Sequence, residues 1–152
     1  MRKRYTLAFK RKIQGRTNYK KRLTLLKSNK PRLVIRTSSS NLVAQIVEFD
    51  PKGDKITASV HTKELEKLGW KAGKGNCSAA YLAGLLVGKK ALEKGIKESI
   101  VDSGLHTPVR GSRIYAAVKG CKDAGITIPV DEGVFPSEDR ILGKHISGYA
   151  SQ

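Results

Sequence analysis

Residues 33–61 read LVIRTSSSNLVAQIVEFDPKGDKITASVH, and the fold follows from how this stretch alternates. Leu33, Val34, Ile35 and Arg36 make a first strand, and Ser38, Ser39 and Ser40 a turn. In a second strand Leu42, Ala44 and Ile46 alternate with Val43, Gln45, Val47 and Phe49, a period of two that puts one set on each face of a sheet. Asp50-Pro51-Lys52-Gly53 is a strong hairpin signal, because each of these turn residues favours reversal of the chain. A third strand follows, with Ile56, Ala58 and Val60 on one face and Thr57, Ser59 and His61 on the other. Three successive strands joined by short turns predict an antiparallel meander.

Outward from the meander the period becomes helical. Upstream, residues 1–10 read as an extended arm, and residues 17–28 place Tyr19, Leu23 and Leu26 on one helical face among lysines. Asn29-Lys30-Pro31 ends that helix, since proline lacks a donor and restricts the residue before it. Downstream, residues 62–68 make a short turn of helix closed by Gly69. Asn76 caps a helix through Ala79, Tyr81, Leu82, Leu85 and Leu86 to Lys94, with Gly95 as its stop. Being apolar nearly all round as far as Gly88, it is expected against the sheet, and the Gly84 and Gly88 spacing predicts close packing there. Residues 96–102 read as a fourth strand and residues 104–111 as a loop. Ser112 caps a last long helix bearing Ile114, Val118 and Cys121, which stops at Gly125. The tail is irregular except for a short helical candidate over residues 137–142. The expected fold is α/β, a β-β-β-α-β-α sandwich with a mixed sheet. It divides into a basic arm and helix (1–30), an α/β domain (31–128) and a C-terminal extension (129–152).

Charge says more about partners than about fold. The first 36 residues carry fourteen Lys and Arg, and the first acid is Glu48, so +14 of the net +17 lies in this quarter of the chain. The remaining 116 residues hold sixteen basic and thirteen acidic groups. A self-repelling block of this kind calls for an external polyanion. A membrane surface fits poorly: an interfacial helix needs a broad apolar face, and Tyr5, Leu7, Phe9, Ile13 and Tyr19 do not supply one. The longest apolar stretch, residues 79–88, is half of what a span requires, and the start has neither a signal-peptide core nor Gly at position 2. Nucleic acid fits well, since scattered aromatics can stack on bases while cations pair with phosphates. The candidate contacts in the basic segment are Arg2, Lys3, Arg4, Lys10, Arg11, Lys12, Arg16, Lys20 and Arg22, with Arg36 on the first strand.

Signals for catalysis are few. Cys77 and Cys121 stand 43 residues apart without a CxxC pair, and His61, His106 and His145 are scattered, so no metal site is expected. Both cysteines read as small buried apolar residues. The loop from Gly73 to Ser78 lacks the preceding strand and final glycine of a dinucleotide fingerprint, and reads as a flexible lead into a helix cap. Asp102, His106 and Ser112 have triad chemistry but no nucleophile elbow. The strand order resembles that of ribonuclease-H-like nucleases, yet their metal ions need clustered carboxylates and the first strand carries none. No enzyme, cofactor, metal or small-molecule substrate is expected. Lys89, Lys90, Lys94 and Lys97 read as a solvated helix face, and His106 equally as a loop or core histidine and as an RNA contact.

Four segments carry a family resemblance. They are Arg32-Leu33-Val34-Ile35-Arg36 with the serine turn and Asn41, the strand Val43 to Val47, Ala91-Leu92-Glu93-Lys94-Gly95-Ile96, and Val101-Asp102 through Gly111 and Arg113. Over roughly residues 1–128 the chain resembles, in its archaeal form, the large-subunit ribosomal protein family numbered eighteen, which binds 5S ribosomal RNA. The resemblance implies a non-catalytic, cytoplasmic component of the ribosome that clasps 5S ribosomal RNA and helps attach it to the large-subunit ribosomal RNA in the central protuberance. It places Ser38, Ser39, Ser40 and Asn41, and the loop from His106 to Arg113, near RNA. Where bacterial relatives carry Gly-Gly-Tyr-x-Tyr-His-Gly-Arg, this chain has Gly104-Leu105-His106-Thr107-Pro108-Val109-Arg110-Gly111, leaving Arg110 and Arg113 as its phosphate-binding candidates. The tail with Val134-Phe135-Pro136 resembles the archaeal and eukaryotic extension, and its net charge of −2 from Pro129 onward points to neighbouring ribosomal proteins or to its own domain. A free-standing RNA-binding regulator is the alternative that charge alone leaves open.

Overall fold

The computed structural model describes residues 6–107 and 109–145. Helices α1 (Lys10–Ile13) and α2 (Tyr19–Leu26) precede strands β1 (Arg32–Thr37), β2 (Leu42–Glu48) and β3 (Lys55–His61). Then come α3 (Glu64–Lys67), α4 (Cys77–Leu92), β4 (Ile100–Asp102) and α5 (Arg113–Asp123). The tail adds a 3-10 turn (Glu132–Val134) and α6 (Glu138–Leu142). One sheet is formed in the order β3-β2-β1-β4, with β1, β2 and β3 antiparallel neighbours and β4 parallel to β1. The expected meander and mixed α/β sheet are both present. Of the expected arm, residues 1–5 lie outside the described residues, residues 6–9 have no regular structure, and a helix begins at Lys10.

Alternation gives the sheet two unlike faces. Leu33, Ile35, Leu42, Ala44, Ile46, Ala58 and Val60 face α4 and α5, and form the core with Ala80, Ala83, Val87, Ile114, Ala117 and Val118. Cys121 is wholly buried there, and burial pushes its thiol up to about 12, so it stays protonated and inert. Cys77 is only half-buried, against expectation. The opposite face carries Arg32, Val34, Arg36, Gln45 and Val47, and α2 lies over it.

Several local expectations are corrected. Ile56 does not join Ala58 and Val60: Ile46 pairs with Ala58 but Val47 with Ile56, so a bulge at Thr57 turns Ile56 outward, where it is 53% exposed. The fourth strand is shorter than 96–102, because Ser99 N–H donates to Thr127 and Thr127 N–H to Lys97, which binds residues 97–99 to the chain after α5. Ser112 occupies the position before α5 without capping it, and its hydroxyl is buried without a partner. The Gly84 and Gly88 pair approaches α5 rather than the sheet. A Cβ on Gly84 would lie 2.0 Å from the Ala117 carbonyl oxygen, and one on Gly120 2.1 Å from that of Tyr81. Two of the four lysines read as solvated are tied down: Lys90 donates to Ser59 O and Glu64, and Lys94 to Thr57 O. The tail packs on its own domain through Gly111 N–H to Val134 O (2.9 Å) and Lys122 to Glu132 (2.9 Å).

Candidate nucleic-acid interface

A row of alternating charges runs beneath α2. Arg32, at the start of β1, has a side chain only 4% exposed, and its two terminal nitrogens reach Asp54 (2.7 Å) and Asp102 (3.0 Å). Asp54 follows the β2–β3 hairpin turn and also receives Arg22 of α2 at 2.7 Å. Asp102 ends β4 and also receives Arg36 at 3.4 Å. The sequence Arg22–Asp54–Arg32–Asp102–Arg36 therefore links α2 to both edges of the sheet through a buried centre. Lys21 adds a second tie, donating to Ser103 Oγ (3.2 Å) and Gly104 O (3.1 Å). Gly104 sits over the Arg36 guanidinium, where an added Cβ would lie 2.8 Å from Cζ, and adopts φ +63°, a left-handed conformation that favours glycine.

Asp102 is held ionised by this setting. Burial alone would raise its carboxyl, but the Gly104 N–H and the guanidiniums of Arg36 and Arg32 outweigh that and bring it below the usual aspartate range. A depressed folded value stabilises the fold above the ordinary aspartate range of about 4, and that contribution is lost as pH falls through the folded value. Urea unfolding across pH 7 to 2 should thus show an acid decline in the native chain that is shallower in an Asp102→Asn variant, itself weaker at pH 7 because Arg32 loses a partner. Parallel declines in both proteins would contradict the assignment.

The sequence-selected residues meet different fates. Arg2, Lys3 and Arg4 lie outside the described residues. Lys10, Lys12, Arg16 and Lys20 are exposed, and their side chains have no partner among the described residues, whereas Arg11 Nε donates to Thr17 Oγ1 at 2.9 Å. Arg22 and Arg36 belong to the charge row, and with Arg11 and Arg16 they border a groove of about 290 Å³ between α2 and the outer sheet face. The groove reaches Leu105, and the next residue, His106, is exposed with Nε2 3.5 Å from Thr37 Oγ1. Thr37 leads into the serine turn, so groove and turn are continuous along β1. Ser38 Oγ donates to Asn41 O (3.0 Å), while Ser39 and Ser40 are exposed. Asn41 is half-buried, its Oδ1 3.5 Å from the buried Thr62 hydroxyl. Arg110 is exposed in the loop. Arg113 is engaged internally: its Nη1 reaches Gly75 O (2.8 Å), Ser38 O (3.3 Å) and Ser39 O (3.4 Å), clamping the turn to the loop before α4.

Sequence reasoning missed Asp54, Lys21, Arg32 and Ser103. Their signal was faint but present, since Arg32 and Arg36 share a strand face with Val34 and need acids nearby. Asp102, His106 and Ser112 form no relay: Asp102 pairs with arginines, His106 neighbours Thr37, and the Ser112 hydroxyl has no partner. Among the described residues no three His, Cys, Asp or Glu side chains cluster to hold a metal ion. No helix among them is long and apolar enough to cross a membrane.

Fold and surface together define a class, a small α/β domain with a clamped basic helix and unpartnered cations on one side. The comparison with known families is specific. Residues 3–99 match the family described as ribosomal large subunit proteins 60S L5 and 50S L18, and the chain belongs to that family. It is 52% identical over 147 residues to the large ribosomal subunit protein uL18 of Thermofilum pendens, an alignment covering 97% of this chain and 75% of that protein. The chain is accordingly a structural component of the large ribosomal subunit, which favours that reading over a free-standing regulator.

Proposed function

We propose that the chain binds 5S ribosomal RNA and helps attach it to the large-subunit ribosomal RNA in the central protuberance, beside neighbouring ribosomal proteins. One observation carries this reading. Lys10, Lys12, Arg16 and Lys20 have no partner inside the described protein, yet Lys20 lies on α2, which Lys21 and Arg22 tie to the domain, and the segment before it meets that helix through Phe9 and Tyr19, their ring centroids 4.9 Å apart. Charges left unpaired on a fixed element suit a rigid polyanion whose phosphates lie at set spacings. The serine turn, Asn41 and His106 follow on from the groove at the end of β1 and offer polar groups held by folded backbone, and Arg110 is exposed in the loop after His106. Groups of that kind can read the shape of an RNA rather than its charge alone.

Two kinds of contact should fail differently. Asn41→Ala and Arg110→Ala, combined in one chain, should lower affinity for 5S ribosomal RNA by about tenfold, the scale of one or two good contacts, and affinity for a length-matched structured RNA by much less. Competition binding with both RNAs checks this, with circular dichroism confirming an unchanged fold. Equal losses for both RNAs would move the specific contact elsewhere.

A further inference from the structure

Helix α2 has eight residues, none of them buried, and Leu23 is 58% exposed. A helix so short is marginal alone, and with Tyr19, Leu25 and Leu26 only half-buried, apolar packing sets its direction loosely. What fixes it are two polar ties pointing opposite ways, Lys21 to Ser103 and Gly104 beyond β4, and Arg22 to Asp54 before β3. The Asp54 tie is the stronger in kind. Its Oδ2 is shared between Arg22 and the buried Arg32, both at 2.7 Å, and Arg32 is itself anchored on Asp102. A charge-assisted pair backed by a buried partner holds geometry far better than a solvated one.

We infer that Asp54 is a positioning residue for RNA binding, and that Arg22 acts through it rather than by touching phosphate. This rests on the RNA-binding reading above. It also assigns an acidic residue a favourable role in gripping a polyanion, which simple electrostatics would deny. With Asp54 in place, α2 presents Lys20 in a set direction, and the segment before it is carried along by Phe9 against Tyr19 and by Arg11 Nε donating to Thr17 Oγ1. Without it, Lys21 is the one polar tie left among the described residues to a helix whose apolar side chains are only half-buried, and fewer cations engage at once.

The sign of one substitution decides between the two views. Asp54→Asn raises the net charge from +17 to +18. If Asp54 were only a local acid, 5S ribosomal RNA should then bind roughly two- to threefold tighter, with a steeper salt dependence. A positioning role instead requires about tenfold weaker binding and a log–log salt slope flatter by about 1. Asp54→Glu, which keeps the charge and a similar reach, should recover affinity to within about threefold of the native chain, a rescue expected when geometry and charge are both restored. Arg22→Gln leaves Arg32 with both its carboxylates, so it tests the tie even if Asp54→Asn disturbs the domain. It should weaken binding like Asp54→Asn, and the double variant should be no weaker than the weaker single by more than about twofold, because coupled residues do not add. Tighter binding by Asp54→Asn, or additive losses in the double variant, would overturn the inference while leaving the 5S reading intact. Failure of the native chain to prefer 5S ribosomal RNA over the control would count against that reading instead, and the Asp54 effect would still be legible on either RNA.

Discussion

Alanine in place of Gly84 should cost about 3 kcal/mol of folding free energy, near the upper end for overpacking a core. The added Cβ would lie 2.0 Å from the Ala117 carbonyl oxygen and 2.7 Å from its carbon, both backbone atoms that no rotamer change can move. From the other helix, Gly120 brings its Cα face against the Tyr81 carbonyl in the same way. Relief therefore demands that α4 and α5 separate, which opens the core over Ala83, Val87 and Val118. Against a total stability of about 5–15 kcal/mol for a domain, such a loss leaves a visibly weakened protein. Urea unfolding of the full chain measures it, with Gly73→Ala as the control, since a Cβ there meets nothing within 4 Å. A loss below about 1 kcal/mol would mean that the helices yield easily and that the contact does not specify their spacing.

The largest effect on binding should come from the four unpartnered cations. Replacing Lys10, Lys12, Arg16 and Lys20 together with alanine should weaken 5S ribosomal RNA binding by about a thousandfold at 0.1 M salt and flatten the log–log slope by about 3, if each contacts one phosphate. Affinity for unrelated structured RNA should fall by a similar factor, because phosphate contacts position a protein without reading sequence. Stability should not change, as none of the four side chains has an internal partner among the described residues. Electrophoretic or filter binding across a salt series gives both numbers. A loss under about tenfold would place the main contact outside this segment.

How much of this was legible depended on the range of the cause. The meander followed from alternation and from the Asp50-Pro51-Lys52-Gly53 turn, where Lys52 N–H donates to Asp50 Oδ1 at 2.9 Å, all within four residues. The cap on α4 was equally local, Asn76 accepting from Ala79 N–H at 2.7 Å. The bulge at Thr57 was not legible, because an inserted residue leaves the composition of a strand unchanged and only the partner strand reveals it. Nor could Gly84 and Gly88 announce their partner: small residues on one helix say that something comes close, while Gly120 and Ala117 on the other helix say what. The same limit governed the site. That the first 36 residues need a polyanion was plain from charge alone. Which of those cations are taken up internally depends on Asp54 and Asp102, which lie 22 and 70 residues from Arg32. Arg22, Arg36 and Arg113 read as phosphate ligands in the sequence, and in the fold each also has partners within the protein, Arg22 and Arg36 with side chains 38% and 45% exposed.

The most direct test of the account is a salt titration of the intact chain against 5S ribosomal RNA and a length-matched structured RNA. Of fourteen basic residues in the first 36, eleven lie among the described residues, and five of these (Lys21, Arg22, Lys30, Arg32 and Arg36) are tied to acids or carbonyls. With half of the fourteen engaging phosphate, the log–log slope is near −5 to −6. The account predicts that slope together with a preference for 5S ribosomal RNA at every salt concentration. A slope shallower than about −2, or equal affinity for the two RNAs, would contradict it.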